Sequence, residues 1–379
     1  MRLLNFSKFI GTVLPMLMSL QLVACGGHDD QPKSTGGETG PVINPLASTA
    51  GLDKYNELNI FSRNVELPVK VPMQGFSLDS DGSIWYTMLY DTVLYISRGK
   101  PNKGLGVAQA KGDMMRLTYF GHGTNSAIEE DGADRYVWAG CFGSCNVAGA
   151  YWTERLICRV KYVKGAVVPT DKCDDYYYIG DYYNVQPTID AEHDQLGVQY
   201  DGGPSGTVNF VVYKLSEAKK APIKTVEIRC TDGFLTGNNK STNSTTVKVQ
   251  AHDLTTLKPV ASPKCRWKDN PNVTYYPWQG YDINGDRLYF VEGAEGSPSY
   301  AYLTVYDMTG RIIEQRTRIK AVGDKLFTTN TGISVNATME SEGVKVKGDS
   351  IYFGFSNRGI NDADRSYYQT ILRFPKPTK

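Results

Sequence analysis

Downstream of residue 51, apolar positions alternate with polar ones in short runs, and turn residues break the runs every few positions. No stretch sustains a long amphipathic helical period. One composite unit recurs five times. Gln74-Gly75 leads through Asp81-Gly82 into Ile84-Trp85-Tyr86, and His122-Gly123 leads through Asp131-Gly132 into Tyr136-Val137-Trp138. Gln186-Pro187 leads through His193-Asp194 into Leu196-Gly197-Val198, and Gln279-Gly280 through Asn284-Gly285 into Leu288-Tyr289-Phe290. Glu342-Gly343 leads through Lys347-Gly348 into Ile351-Tyr352-Phe353. Each unit is a polar residue, a strand, a tight turn and an apolar strand, which is the chemistry of a β-hairpin. A third strand follows each, at 92–96, 156–160, 210–213, 303–306 and 371–374. A more polar fourth strand is read at 225–228 and 312–315.

Four antiparallel strands repeated five times predict an all-β fold, a single five-bladed β-propeller. The last unit ends near the C-terminus without a fourth strand, and residues 59–67 are expected to supply it and close the ring. Uneven spacing of the units puts long insertions in blades two and three.

The first 51 residues break the pattern. Arg2 and Lys8 precede an apolar run from Phe9 to Val23, too short for a stable membrane span, as in an export signal. It ends in Leu22-Val23-Ala24-Cys25, a lipobox in which Cys25 would accept a diacylglycerol. Residues 1–24 are read as a lipoprotein signal peptide. Residues 25–51, rich in Gly, Pro, Ser and Thr, are read as a flexible tether, and 52–379 as the propeller. Asp29-Asp30 resembles the acidic surface-export signals of Bacteroidetes lipoproteins. The expected location is the outer membrane, facing outward and held by the lipid alone, with the periplasmic face as the alternative.

Charge is balanced, with 41 basic and 40 acidic residues, so neither nucleic acid nor an anionic membrane is an expected partner. The 25 Tyr and 38 Gly suit twisted strands and aromatic binding surfaces. Beyond Cys25, the even set Cys141, Cys145, Cys158, Cys173, Cys230 and Cys265 predicts disulfides in an exported chain. Local closure favours Cys141–Cys145, Cys158–Cys173 and Cys230–Cys265, stapling the two insertions. No His stands at ligand spacing from these cysteines, so zinc is not expected.

The alignment puts Gln74, His122, Gln186, Gln279 and Glu342 at the same place in successive blades, as a ring around the axis. Such groups bind sugar hydroxyls, a carboxylated sugar or water, and could hold a calcium ion; they can equally just tie the channel together. No other cofactor is expected. His122, between two glycines and near Glu129, is the catalytic candidate. It would take the proton alpha to a uronate carboxylate in a β-elimination, with a Tyr and Arg155 or Arg116 assisting. Glu129 and Glu130 cannot form a glycosidase pair, because neighbours on a strand face opposite ways. His193 at a turn and His252 in an insertion are expected to be solvated. Tyr176-Tyr177-Tyr178 to Tyr182-Tyr183 either stacks on sugars or forms the outer strand of blade two. Phosphate-loop and nucleophile-elbow motifs are absent.

Gln74-Gly75, Gly121-His122-Gly123 with Ile128-Glu129, Gln279-Gly280 and Glu340-Ser341-Glu342-Gly343 together resemble the helveticin J and teichoic acid biosynthesis protein C group, over residues 70–375. That resemblance implies a bacteriocin or wall-polymer role. The lipobox and the cysteine-bearing insertions depart from the group. What carries over is a small propeller that meets an envelope or extracellular polymer. The sequence therefore favours a monomeric surface lipoprotein that binds a glycan or cell-envelope polysaccharide. The alternatives are a polysaccharide lyase or glycoside hydrolase using His122, and a helveticin-like antibacterial factor.

Overall fold

The computed structural model describes Tyr55 and residues 59–104, 106–110, 112–143, 154–201, 207–236, 241, 243–266, 276–294, 300–319, 335–359 and 367–377. The export signal, Cys25, the tether and Cys145 lie outside the described residues.

Five sheets form the five blades of a β-propeller. The first described strand is β1 (Ile60–Glu66). Blade one holds β2 (Gly75–Leu78), β3 (Ile84–Tyr90), β4 (Val93–Gly99) and, after the short β5 (Ala108–Gln109), β6 (Met114–Thr118). Blade two holds β7 (Ala127–Asp131), β8 (Asp134–Cys141), β9 (Leu156–Lys161) and, after β10 (Val167–Pro169), β11 (Asp175–Tyr178). Blade three holds β12 (Tyr183–Asp190), β13 (Gln195–Asp201), β14 (Thr207–Lys214) and, after β15 (Ile223–Thr231) and β16 (Ser244–Asp253), β17 (Lys264–Arg266). Blade four is β18 (Trp278–Asn284), β19 (Arg287–Ala294), β20 (Tyr300–Asp307) and β21 (Ile312–Arg318). Blade five is β22 (Val335–Lys347), β23 (Ser350–Gly359) and β24 (Tyr367–Pro375), and β1 pairs antiparallel with β24 as its fourth strand. The expected closure is therefore observed. Left-handed backbone at Gly82, Gly132, Gly285 and Gly348 turns four of the five first hairpins, the conformation that tight hairpin turns require.

Each neighbouring pair of blades shares one apolar core. Trp85 and Leu117 meet Val137 and Leu156 between blades one and two. Trp138 and Tyr177 meet Leu196 and Val198 between two and three. Phe210 meets Tyr281 and Leu288, Leu303 meets Phe353, and Phe76 and Tyr86 meet Tyr352 and Ile371. The last of these joins blade five to blade one and seals the ring. Tyr55 is buried in the core of blades four and five, edge-on to Phe353 and Phe374 at 5.4 and 5.1 Å.

Three outer edges carry a parallel strand lent by the following stretch of chain. β5 lies on β1 of blade five, β10 on β6 of blade one, and β16 on β11 of blade two, with β15 outside it. This corrects the placement of residues 225–228, expected as the fourth strand of blade three; β17 takes that position. The reason is burial. Val226, Ile228, Val249 and Ala251 point to one side of the β15–β16 hairpin, and they complete the core of blades one and two.

The expected disulfide staples are not formed among the described residues, whose five cysteines are thiols. Cys141 and Cys158 lie on the blade strands β8 and β9 and not in an insertion. Cys158 interacts with both Cys141 and Cys173. Cys230 joins these three in the core of blades one and two, whereas Cys265 is buried between blades three and four. Their separate cores preclude the expected Cys230–Cys265 bond.

Candidate functional site

The five aligned residues sit toward one end of the propeller, the loop end, but His122 is not in register with the others. It stands five positions before β7, and Asn125 takes the place equivalent to Gln74. The first-hairpin turns mark the opposite, turn end. All five are buried. The strand starts are irregular. Pairing slips between Trp278 and Gly280, which makes Gln279 an extra residue in β18. It slips again between Ser341 and Val344 around Glu342, and between Tyr183 and Gln186. Such bulges re-aim side chains, and here they take Gln279 and Glu342 out of the ladder, while Gln186 stays paired with Gln199. The glycines answer to crowding: a Cβ on Gly75 would fall 2.8 Å from the Thr124 carbonyl oxygen, and one on Gly280 would lie 3.2 Å from the Gly343 Cα. Asn125 links three blades there. Its Nδ2 donates to the Pro187 carbonyl at 3.2 Å, and its Oδ1 accepts from the Tyr281 N–H at 3.1 Å. Gln186 Nε2 donates to Asn184 Oδ1 at 2.7 Å, and Gln279 Nε2 to Glu340 Oε1 at 3.4 Å.

Glu154 is the residue that the sequence did not single out. It stands two positions before β9 and is buried against His122, whose backbone N–H donates to its Oε1 at 2.8 Å. Glycines clear its space. A Cβ on Gly121 would overlap the carboxyl group, and one on Gly140 would lie 2.7 Å from its Cγ. Glu154 Oε2 has no hydrogen-bond partner. Burial pushes this carboxyl up to about 8 and pushes His122 down to about 3. At neutral pH, His122 is therefore uncharged and Glu154 largely keeps its proton. A histidine so reluctant to take a proton is a poor general base. Nor does His122 have Glu129 beside it as an ionic partner. Glu129 is held by Trp138 Nε1 at 2.8 Å, Arg159 Nε at 2.7 Å and Lys219.

Aromatic rings and arginines rim this end. Tyr183 is 50% exposed and Tyr182 36%. The Arg155 guanidinium lies 3.8 Å from the Tyr183 ring centre, and Tyr182 packs on Tyr200 at 4.4 Å. Asp201, paired with Tyr183 across the hairpin, is pushed up by desolvation. On blade four, Arg318 lies 4.8 Å from the Tyr300 ring and Arg316 3.8 Å from that of Tyr302, while Tyr276 stacks on both tyrosines. Tyr176 and Tyr177 are instead buried in β11, so that triplet is the outer strand of blade two.

No protein-family model and no curated protein matches the chain. Among solved structures, the tail fibre of Staphylococcus aureus phage P68 is similar at a TM-score of 0.53 and 15% identity, over 84% of this chain and 52% of that one. The chain thus spans about half the length of the tail-fibre chain, and the likeness shows a shared fold. A protein from Bacteroides ovatus described as a hydrolase reaches a TM-score of 0.38 at 8% identity, over 82% of this chain and 87% of that one. The polysaccharide lyase Uly1 reaches 0.33 at 10% identity, over 80% and 90%. At such scores neither of these two carries weight for function.

The turn end has a different character. Asp79 is ion-paired with Arg98 and Arg135, each at 3.1 Å, and Glu129 with Arg159. Asp190, Glu192 and His193 bring three possible cation ligands together. Asp190 already accepts from the Gly285 N–H at 2.8 Å and meets His193 Nδ1 at 2.6 Å. Asp190 and Glu192 line an axial cavity of about 210 Å³ with Asp282, Lys345 and Lys347. Among the described residues this group lies at the turn end, opposite the end where Gln186 and Gln279 stand. His193 is half exposed at its turn, as expected. His252 is not solvated: it stacks on Tyr177 at 5.0 Å and its Nδ1 meets the Ala221 carbonyl at 2.9 Å.

Buried hydrogen-bonding atoms without a partner gather at the loop end. Among the described residues they include Glu154 Oε2, Gln186 Oε1, Gln199 Oε1, Trp278 Nε1, Ser341 Oγ and Asn357 Oδ1, drawn from four blades. A buried polar atom left unpaired costs roughly 1–3 kcal/mol, so a concentration of them calls for a ligand or ordered water. The set is rich in neutral acceptors and donors and poor in fixed charge.

Proposed function

We propose that this protein is a glycan-binding module whose loop end takes a saccharide, held at the cell surface by a lipid on Cys25. The concentration of unpartnered, buried polar atoms at that end carries the reading. Amide oxygens, an indole N–H and a serine hydroxyl suit a hydroxyl-rich ligand. Exposed Tyr182 and Tyr183 offer the apolar faces that pyranose rings stack on. Calorimetry against a broad set of plant, host and bacterial oligosaccharides tests it. Binding is expected, and Gln186→Ala should weaken it by about tenfold with the thermal midpoint within a few degrees of wild type. Failure of the whole set to bind would overturn the reading.

A lyase or hydrolase on this face is a second reading, and it moves from His122 to Glu154. A carboxyl group that keeps its proton near neutrality is what a general acid needs. Product formation abolished in Glu154→Gln and retained in His122→Ala would support it. Full activity in Glu154→Gln would exclude it.

A further inference from the structure

Arg155 and Arg318 share an arrangement found at no other loop-end arginine among the described residues. Each guanidinium lies over a tyrosine ring, Tyr183 at 3.8 Å and Tyr300 at 4.8 Å, and neither has a carboxylate partner among the described residues. Arg318 Nε is moreover buried without a hydrogen-bond partner. The contrast with the other arginines is sharp. Arg98, Arg135 and Arg159 are locked to Asp79 or Glu129 at the turn end. Arg316, two positions from Arg318, is taken by Glu292.

The two pairs flank blade three. Arg155 leads into β9 of blade two and reaches Tyr183, which opens β12. Tyr300 shares its face of β20 with Tyr306, which packs in the core shared with blade three. Of the carboxyl groups nearby, burial raises Glu154 to about 8, so it opposes an anion little near neutrality, and desolvation also raises Asp201. A guanidinium stacked on an aromatic ring keeps its N–H fork in plane, free to take a carboxylate through two parallel hydrogen bonds.

We infer that the glycan is acidic: a uronate-bearing polysaccharide whose carboxylates are taken by Arg155 and Arg318 while its sugar rings lie against the exposed Tyr183. This rests on the glycan reading above and narrows it. A polymer that repeats its carboxylate can engage both arginines; a neutral one leaves them unused.

The test compares galacturonate, mannuronate and glucuronate oligosaccharides with the same oligosaccharides methyl-esterified at the carboxyl, by calorimetry on the folded chain. The acid forms should bind at least about tenfold more tightly than the esters, and added salt should narrow the gap. Arg155→Gln and Arg318→Gln should remove the preference. Arg155→Lys should keep part of it, since it retains charge but loses the fork, and it serves as the control should the Gln variant fold poorly. Equal binding of acid and ester, or an undiminished preference in both Gln variants, overturns the acidic assignment and leaves the glycan reading standing. Binding of neither acidic nor neutral saccharides removes both.

Discussion

Glu154 and His122 are neighbours shifted in opposite directions by the same cause, and their titrations should be visible in stability. Burial raises Glu154 from 4.5 to about 8. Between those values the folded protein binds a proton that the unfolded chain releases, so stability is complete below 4.5 and is lost as pH rises toward 8. Burial lowers His122 from 6.5 to about 3. There the unfolded chain binds the extra proton, so stability is lost as pH falls from 6.5 toward 3. The two slopes oppose between 4.5 and 6.5 and nearly cancel. Between 6.5 and about 8, Glu154 acts without that opposition, and stability should fall as pH rises. Asp201 and Asp282 are also pushed up by burial, so the informative quantity is the difference between wild type and Glu154→Gln. The variant should lose most of the alkaline decline in thermal midpoint. Identical slopes in the two proteins would show that Glu154 is not the buried, protonated group described.

At the scale of elements, the hairpins were readable because their cause is local. A two-residue period and an Asp, Asn or Gly turn specify two strands without reference to the rest of the chain. The insertions were not readable in the same way. The alternation of Val226, Ile228, Val249 and Ala251 tells which face of β15–β16 is apolar, but not which core will accept it. The expected Cys230–Cys265 pairing failed for that reason, since Cys230 travels with β15 to blade two while Cys265 stays with blade three. The strap makes a sharp expectation. Ile228→Ala should cost about 2–4 kcal/mol in chemical denaturation, as for a buried large-to-small change. Hydrogen exchange should quicken in β9 and β11, its neighbours in space. Faster exchange confined to β13 and β14, its neighbours in sequence, would contradict the lent-strand topology.

At the scale of the whole molecule, a propeller converts a repeated sequence position into a repeated place around the axis. Gln74, Gln279 and Glu342 follow that rule, whereas Asn125 takes the equivalent place in blade two and His122 lies three positions before it. Glu154, Arg155 and Arg318 stand outside the repeated unit, so no alignment of turns could gather them. The same circular logic makes closure a property of the entire chain. β1 supplies the fourth strand of blade five, Val65 and Leu67 enter the core between blades five and one, and Tyr55 enters that between four and five. Without them, the nine-residue β24 becomes a bare edge, a template for pairing with another chain. A chain of residues 52–379 should therefore be a monomer with one unfolding transition, and one of residues 68–379 should self-associate and unfold over a broader range. A peptide of residues 55–67 added in trans should restore the monomer and sharpen the transition, because the site it fills is preformed on β24. If the shorter chain stays monomeric with an unchanged thermal midpoint, the ring does not depend on β1 for closure. If it associates and the peptide has no effect, β1 acts before the ring is formed and not as its final clasp.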